Sequence, residues 1–455
     1  MTSPAAAQPD GDPGHGVAVL RLARSWTPTA LGSSLLAWEI PLVVAVVGRM
    51  AQGTQAMAAL GAGLAVLVVV NSPALALAPL VVAEIHSRGP RALSRQAAIT
   101  GVTGCAALVA LAALPGVSAA FPAVLGLPTE LRADFRLCLL AFATAPLAVA
   151  VRRRFHGRLI AANATGPIAT ATAVRIAVTV MAALVERWAA FPSAAVGGVA
   201  LSCGAWAEAG LLVRGCRGVS ETGPVSLGPP GSGLVAQHAR MTSVVLLNMS
   251  PALVTTVVIA WSHQASASLI VWPALYGLLS LGTVPLSDVD SVGAAFLRRG
   301  GPPPVLRRFV VLLGGGLLTI ALLVALTPLA RLYLENFSGV PREPAELGLR
   351  WCLPVVLAPT LWALRGRLRA VAIAGGSAGA LPRAAAVHLA VLLGVGAALP
   401  FTTLPGVACA SVAVVAALVG ETVALQAAGR GAGGEDRQVR GEGDRLEAPS
   451  EPGRP

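Results

Sequence analysis

The sequence has little charge and few aromatic residues. Of its 455 residues, 12% are charged, 4% are aromatic and 55% are hydrophobic, and the mean hydropathy is +0.74. A soluble domain usually carries about twice this charged fraction. The low charge therefore excludes an ordinary soluble globular protein. Lysine is absent, so all 33 basic residues are arginine. Together with the excess of Ala, Gly, Pro and Val, this indicates a GC-rich bacterial coding bias rather than a function.

Motifs that carry catalysis or metal binding are also missing. The six cysteines are scattered without a CxxC pair, which argues against a disulfide framework or a zinc site. No P-loop, GxSxG or HExxH pattern is present, so neither nucleotide-driven pumping by this chain alone nor these hydrolytic chemistries are expected. The sequence predicts no catalytic residue, cofactor or metal, and the D-x-D pattern at Asp288 and Asp290 lies inside an apolar segment.

Long apolar runs recur along the whole chain and predict an all-α polytopic membrane protein. Each run has roughly the 20 residues that a helix needs to cross the hydrocarbon core. The predicted spans are about 27–48, 55–83, 96–120, 134–156, 164–185, 191–214, 237–261, 265–290, 304–330, 345–370, 381–400 and 404–426.

Arginine placement predicts the orientation. The connections after even-numbered spans hold eighteen arginines, and those after odd-numbered spans hold seven. Arginine is enriched in cytoplasmic connections, so both termini are expected on the cytoplasmic side of a bacterial inner membrane. The predicted termini are a cytoplasmic segment over 1–26 and a disordered cytoplasmic tail over 427–455. The net charge of +12 does not indicate nucleic acid, because the arginines lie at the ends of apolar segments.

The chain repeats itself at a spacing of about 213 residues. Pro146, Arg175 and Glu208 recur as Pro359, His388 and Glu421. The repeat predicts six-span bundles at 27–214 and 237–426, joined by a linker at 215–236 and related by an axis along the membrane normal. Two such bundles typically enclose a central cavity, which favours a transporter.

Two aspartates interrupt the eighth span. Asp288 lies ten residues, about 15 Å of helix, before Arg298, near mid-depth. Charges at this depth usually face a bundle interior or water, and Pro285 is expected to kink the helix beside them. Asp288 and Asp290 point in different directions, so at most one faces a given cavity. We expect Asp288 to face it and Asp290 to pack or pair, with interhelical pairing of both as the alternative.

Other polar residues within spans are further candidates for substrate or ion binding. Glu39 is the first-half counterpart of a cavity acid. Arg175 suits a carboxylate or phosphate, or it pairs with Glu208. Glu208 and Glu421 either bind a solute or ion, or they brace their own half-bundle. His388 either carries a proton or is a hydrogen-bonded packing residue. Asn71, like Asn248, is a polar packing candidate.

Short motifs resemble the superfamily of multidrug and toxic-compound extrusion (MATE) proteins and polysaccharide flippases. PLSDVDSVGAAF (285–296) and Gly420-Glu421-Thr422 resemble the progressive ankylosis protein family in particular, although Asp290 stands where that family is expected to have a basic residue. The resemblance implies secondary transport by alternating access, with a small organic anion or cation as solute and a proton or sodium as coupling ion.

The sequence therefore predicts a monomeric exporter in the lipid bilayer, in which Asp288 and Glu39 carry the coupling-ion or solute charge. A flippase of lipid-linked sugar precursors is the alternative. A membrane transferase would need a polar motif clustered at one membrane face, and the sequence has none. A non-transporting scaffold would require the internal acids to pair with one another.

Overall fold

The structure is a computed structural model that describes residues 13–162, 164, 166–217, 233–375 and 379–446. In these ranges the chain is helical, with no strand beyond one isolated bridge between His263 and Pro405. Eleven helices or helix pairs are long and apolar enough to cross a membrane, and a bent pair over Arg342–Ala374 makes twelve. They follow the twelve predicted spans in order. Helices satisfy their own backbone hydrogen bonds, as a lipid environment requires.

The described residues of the first half form ten α-helices. They are α1 (Pro13–Ala37), α2 (Glu39–Val47), α3 (Gly53–Val70), α4 (Ser72–Leu75), α5 (Leu77–Ala113), α6 (Val117–Val124), α7 (Arg132–Ala141), α8 (Ala145–Ala161), α9 (Gly166–Trp188) and α10 (Ser193–Gly215). Helix α5 includes the turn from the second span into the third, where Gly89 has φ +73° and Pro90 follows it.

The second half, over the ranges described, forms nine α-helices. They are α11 (Leu234–Ala260), α12 (Ala265–Thr283), α13 (Val289–Arg298), α14 (Pro303–Leu326), α15 (Leu329–Arg331), α16 (Arg342–Trp351), α17 (Ala358–Ala374), α18 (Ala380–Ala398) and α19 (Gly406–Leu446). A 3₁₀ turn over Val284–Asp288 joins α12 to α13, and a π-helical turn over Leu332–Phe337 follows α15.

Four spans are interrupted at repeat-equivalent places. The second and eighth spans break near Pro73 and Pro285, and the fourth and tenth break just before Pro146 and Pro359. Each proline lies in the first turn of the segment that resumes the span. Proline is tolerated there because its missing N–H would have no helical partner. The 213-residue repeat therefore extends to the positions of the helix breaks.

The first helix of each half packs against the other half. Leu22 and Trp26 of α1 lie in an apolar cluster with Leu286, Val289 and Phe309. Helix α11 correspondingly contacts α3, α4 and α5. This exchange explains why residues 13–26, predicted as a terminal segment, are helical.

The predicted tail is also partly helical. Helix α19 continues to Leu446, well beyond the predicted end of the last span at 426. A disordered tail over 427–455 stays a prediction, and 447–455 lie outside the described residues. Most of the predicted linker, 218–232, lies outside them too.

The largest cluster of buried apolar side chains joins the two halves. It includes Val43, Phe135 and Val196 of the first half with Trp272 and Leu334 of the second. These residues lie toward the odd-numbered connections. The halves are thus in close contact on that side of the molecule, which we call the odd side. The opposite side, with the even-numbered connections, is called the even side.

Candidate functional site

Two networks of buried charge occupy repeat-equivalent places in the two halves. Each has a glutamate on its last span, an arginine on its fourth span and a basic residue on its fifth. In the first half these are Glu208, Arg152 and Arg175, and in the second half Glu421, Arg365 and His388. A buried charge is tolerated when it is paired and hydrogen-bonded. Both halves therefore stabilise a buried glutamate by pairing it with basic residues at equivalent positions.

In the first-half network the charged side chains bind one another. Arg175 binds Glu39 with two hydrogen bonds, Nε to Oε1 at 2.8 Å and Nη2 to Oε2 at 2.6 Å. Its Nη1 donates to Oε2 of Glu208 at 3.1 Å, and Nη1 of Arg152 donates to the same oxygen at 2.7 Å. Thr179 also donates to Glu39, at 2.9 Å. Two arginines thus balance two glutamates.

Glu39, Arg175 and Glu208 do not line the cavity that lies between the two halves. Glu39 is 3% exposed and Glu208 is 1% exposed. The expectation that Glu39 faces the cavity is therefore wrong for this conformation, because Arg175 engages both of its oxygens. Of the two alternatives for Arg175, pairing with Glu208 is observed, and Glu39 is an additional partner that the sequence did not indicate.

A cavity with a volume of about 450 Å³ lies between the halves. The first half contributes mainly apolar or small side chains from α2 and α3. The second half contributes all of the acidic and basic residues in the lining. These are Asp290, Arg365, Arg369, His388 and Glu421. The cavity lies toward the even side, because α17 and α18 line it next to their even-numbered connection at 375–379.

The second-half network is exposed to this cavity. Arg365 Nε lies 2.6 Å from Glu421 Oε1, and Arg369 Nη1 lies 3.5 Å from the same oxygen. Arg369 Nε donates to Asp290 Oδ2 at 3.1 Å. The guanidinium of Arg365 also stacks over the Trp362 ring, 4.7 Å from its centroid. This wall combines guanidinium donors with an aromatic face.

Both aspartates make the interhelical contacts of the alternative, and Asp290 rather than Asp288 faces the cavity. Asp290 lines the cavity, whereas Asp288 does not and accepts a hydrogen bond from Ser33 of α1 at 2.7 Å. Asp288 ends the 3₁₀ turn and Asp290 lies in the first turn of α13. Helical spacing separates the directions of the two carboxylates but does not say which of them faces the cavity. That direction depends on the 3₁₀ turn over Val284–Asp288 and on its packing.

The two asparagines have separate positions. Asn71 is buried at the break between α3 and α4, outside the cavity, and its Oδ1 has no hydrogen-bond partner within the described ranges. Asn248 lines the cavity and donates to the carbonyl of Val244 at 2.8 Å. Sequence reasoning did not propose Arg152, Arg365 or Arg369 as site residues. The signal that could have found the first two is their 213-residue spacing.

Polar contacts close the odd side. Arg49 donates from Nη1 to the Phe337 carbonyl at 2.6 Å and from Nη2 to the Asn336 carbonyl. Gly48 and Gly339 (φ +71°) lie backbone to backbone, and a Cβ on Gly48 would clash with the Ser338 carbonyl. Elsewhere on this side, Ser266 donates to Glu130 at 2.9 Å. We call the contact of 48–49 with 336–339 the odd-side clasp.

Comparison with solved structures establishes the fold. An inward-facing multidrug resistance MATE family transporter of the MOP superfamily superposes with a TM-score of 0.63, at 13% identity over 89% of this chain and 96% of that one. The chain has the MATE fold. No protein-family model matches the sequence, and no curated protein matches it. The finer resemblance to the progressive ankylosis protein family therefore stays a prediction.

Two further structures with this fold are informative. An outward-facing MATE family transporter superposes with a TM-score of 0.53, at 14% identity over 92% of this chain and 96% of that one. The lipid II flippase MurJ, in an inward closed conformation, gives 0.61 at 11% identity over 88% of this chain and 87% of that one. The chain thus superposes better on the inward conformations than on the outward one.

Proposed function

We propose that the chain is a secondary active transporter that moves a small organic solute across a bacterial inner membrane by alternating access. The observation that carries the proposal is the cavity between the two repeat halves, lined by charged groups and closed at the odd side. Alternating access requires such a site to be exposed on one side at a time. The MATE fold supports the same conclusion.

The orientation belongs to this proposal. With arginine-rich even-numbered connections in the cytoplasm, the cavity lies toward the cytoplasm and the clasp lies outside. This agrees with the better superposition on inward conformations. Both termini would then be cytoplasmic. Proton or sodium coupling fits a chain that has no nucleotide-binding motif.

A flippase of lipid-linked precursors is the second candidate, favoured by the similarity to MurJ. A cavity of about 450 Å³ falls within the range of about 300–1,000 Å³ that is typical for drug-sized ligands. A lipid-linked oligosaccharide would need more room than this conformation offers. We therefore favour a small solute.

The two neighbouring aspartates provide a matched test. Small molecules in the medium are compared among cells that express the wild type, Asp290→Asn, Asp288→Asn or an empty vector, at equal membrane levels of protein. We expect one compound to accumulate with the wild type and with Asp288→Asn. With Asp290→Asn we expect about tenfold less, because Arg369 loses the carboxylate that positions its guanidinium at the cavity wall. A tenfold change corresponds to about 1.4 kcal/mol.

The outcomes separate the candidates. If no compound distinguishes wild type from vector, small-solute export is wrong, and the flippase or a non-transporting scaffold takes its place. If Asp288→Asn loses export while Asp290→Asn keeps it, the cavity described above is not the solute site.

A further inference from the structure

The two halves differ at one position of their shared charge network. Arg175 of the first half corresponds to His388 of the second half, 213 residues later. Arg175 is permanently charged and lies in the closed network with Glu39 and Glu208. His388 lines the cavity, and imidazole is the side chain that gains or loses a proton near neutral pH. The second half thus has an imidazole where the first half has a guanidinium.

The contact between His388 and Glu421 has room for one more hydrogen bond. His388 Nδ1 lies 3.0 Å from Glu421 Oε2, but the two atoms lack the alignment of a hydrogen bond. Neither atom has another partner within the described ranges. The other oxygen of Glu421 already faces Arg365 and Arg369. The neutral ring, with its one proton on Nδ1 and a small rotation, would satisfy both buried atoms together. A second proton on Nε2 would then make the same contact a charge-assisted hydrogen bond between an imidazolium and a carboxylate.

The charges around His388 balance when the imidazole is neutral. Helix α17 contributes Arg365 and Arg369, α19 contributes Glu421 and α13 contributes Asp290. Helix α11, which also packs against α18, lines the cavity only with uncharged residues. Two arginines therefore balance two acids, and an imidazolium at His388 gives the cavity wall a net charge of +1.

We propose that His388 and Glu421 form a proton site, and that its proton turns the cavity into a site for an organic anion. This inference rests on the proposed function, because it names the coupling ion and the solute class of that cavity. The solute would have an apolar or aromatic body beside Trp272 and Trp362. Its carboxylate, phosphate or sulfonate group would face the guanidinium groups of Arg365 and Arg369.

Proton and solute would then bind together rather than compete. Competition between a proton and a cationic solute would need a cavity acid without a guanidinium partner. Both acids that line the cavity, Asp290 and Glu421, have one. Linkage is reciprocal, so bound anion also favours uptake of the proton.

Two probes that share a naphthalene ring system and have opposite permanent charges test the proposal. The purified full chain, in lipid nanodiscs, is titrated with 1-naphthalenesulfonate and with (1-naphthylmethyl)trimethylammonium. Binding is measured calorimetrically at about pH 5.5 and about pH 8, on either side of the ordinary imidazole range. We expect the sulfonate affinity to rise about fivefold or more at the lower pH, the low end of usual coupling factors. The affinity for the ammonium probe should not rise.

Variants at position 388 assign the effect to this histidine. His388→Gln should remove the pH dependence of sulfonate binding. His388→Arg, which restores the first-half residue type, should bind sulfonate at both pH values with similar affinity. His263→Gln, an exposed histidine on the odd side, serves as the control and should behave as wild type. Elution volume and thermal stability establish that each variant is folded.

Three results would overturn the inference. They are pH-independent sulfonate binding by the wild type, pH dependence that survives in folded His388→Gln, and a folded His388→Arg that fails to bind at the higher pH. The assay needs no transport. Intact pH-linked binding without movement of solute into or out of cells would therefore overturn the proposed function alone, and transport with pH-independent binding would overturn only this inference.

Discussion

At the scale of residues, buried charge is distributed by repeat position. Arg152 and Arg365 correspond, as do Glu208 and Glu421, and each arginine contacts the glutamate of its own half. Removing one partner of a buried pair usually costs far more than the pair contributes, because it leaves an uncompensated charge. Such networks are therefore retained after duplication even when one half takes on a further role.

This argument predicts a large stability loss at Glu208. Glu208→Gln leaves Arg152 without an acidic partner, so we expect the free energy of unfolding to fall by about 3–5 kcal/mol. Thermal unfolding in detergent measures the change. Glu346→Gln is the control, because Glu346 pairs with Arg342 on an exposed helix face and surface pairs contribute little. An unchanged unfolding temperature for Glu208→Gln would contradict the bracing role of the network.

Sequence reasoning identified only part of these networks. The spacing of Arg175, Glu208, His388 and Glu421 indicated that they belong together. Arg152, Arg365 and Arg369 were assigned to the cytoplasmic ends of spans, where arginine is common, so their inward direction was missed. Direction depends on packing around α8 and α17, which residue spacing alone does not give.

At the scale of elements, the interrupted helices determine which side chains reach the cavity. The turn over Val284–Asp288 lies between α12 and α13, so Asp288 turns toward Ser33 while Asp290 faces the cavity. Pro285 predicted a kink from the sequence. The 3₁₀ geometry of the turn was not predictable, because the same proline is compatible with a bent α-helix.

The odd-side clasp is the element that must open for the cavity to reach the other side. Arg49→Ala removes its hydrogen bonds to the carbonyls of Asn336 and Phe337, so we expect the odd side to open more often. The reporter is Thr256→Cys, at a buried cavity position, in a chain whose native cysteines are replaced by alanine. A membrane-impermeant thiol reagent added to intact cells should label it several times faster with Arg49→Ala.

The control for this prediction is Arg331, which lies just before residues 336–339 of the clasp. Arg331→Ala removes the pair between the exposed Arg331 and the half-buried Glu335 and leaves the hydrogen bonds of the clasp in place. The labelling rate should therefore stay at the level of the unmodified clasp. Equal rates for the Arg49→Ala and Arg331→Ala chains would contradict a gating role for Arg49.

At the scale of the whole molecule, the two halves meet through a continuous apolar core on the odd side and enclose the cavity toward the even side. The twelve spans and the duplication could be predicted, because apolar length and residue spacing are written directly in the sequence. The asymmetry between the halves could not. Both halves have similar internal charges, and only packing closes one network while exposing the other.

Alternating access predicts that locking the odd side stops transport. Glu130 and Ser266 belong to different halves and touch there, so Glu130→Cys and Ser266→Cys can be bridged by a short bifunctional methanethiosulfonate. The solute is the compound found in the medium of wild-type cells, and the single-cysteine chains are the controls. The account predicts that bridging abolishes export and that a reductant restores it. Export at the wild-type rate by a fully bridged protein would contradict it.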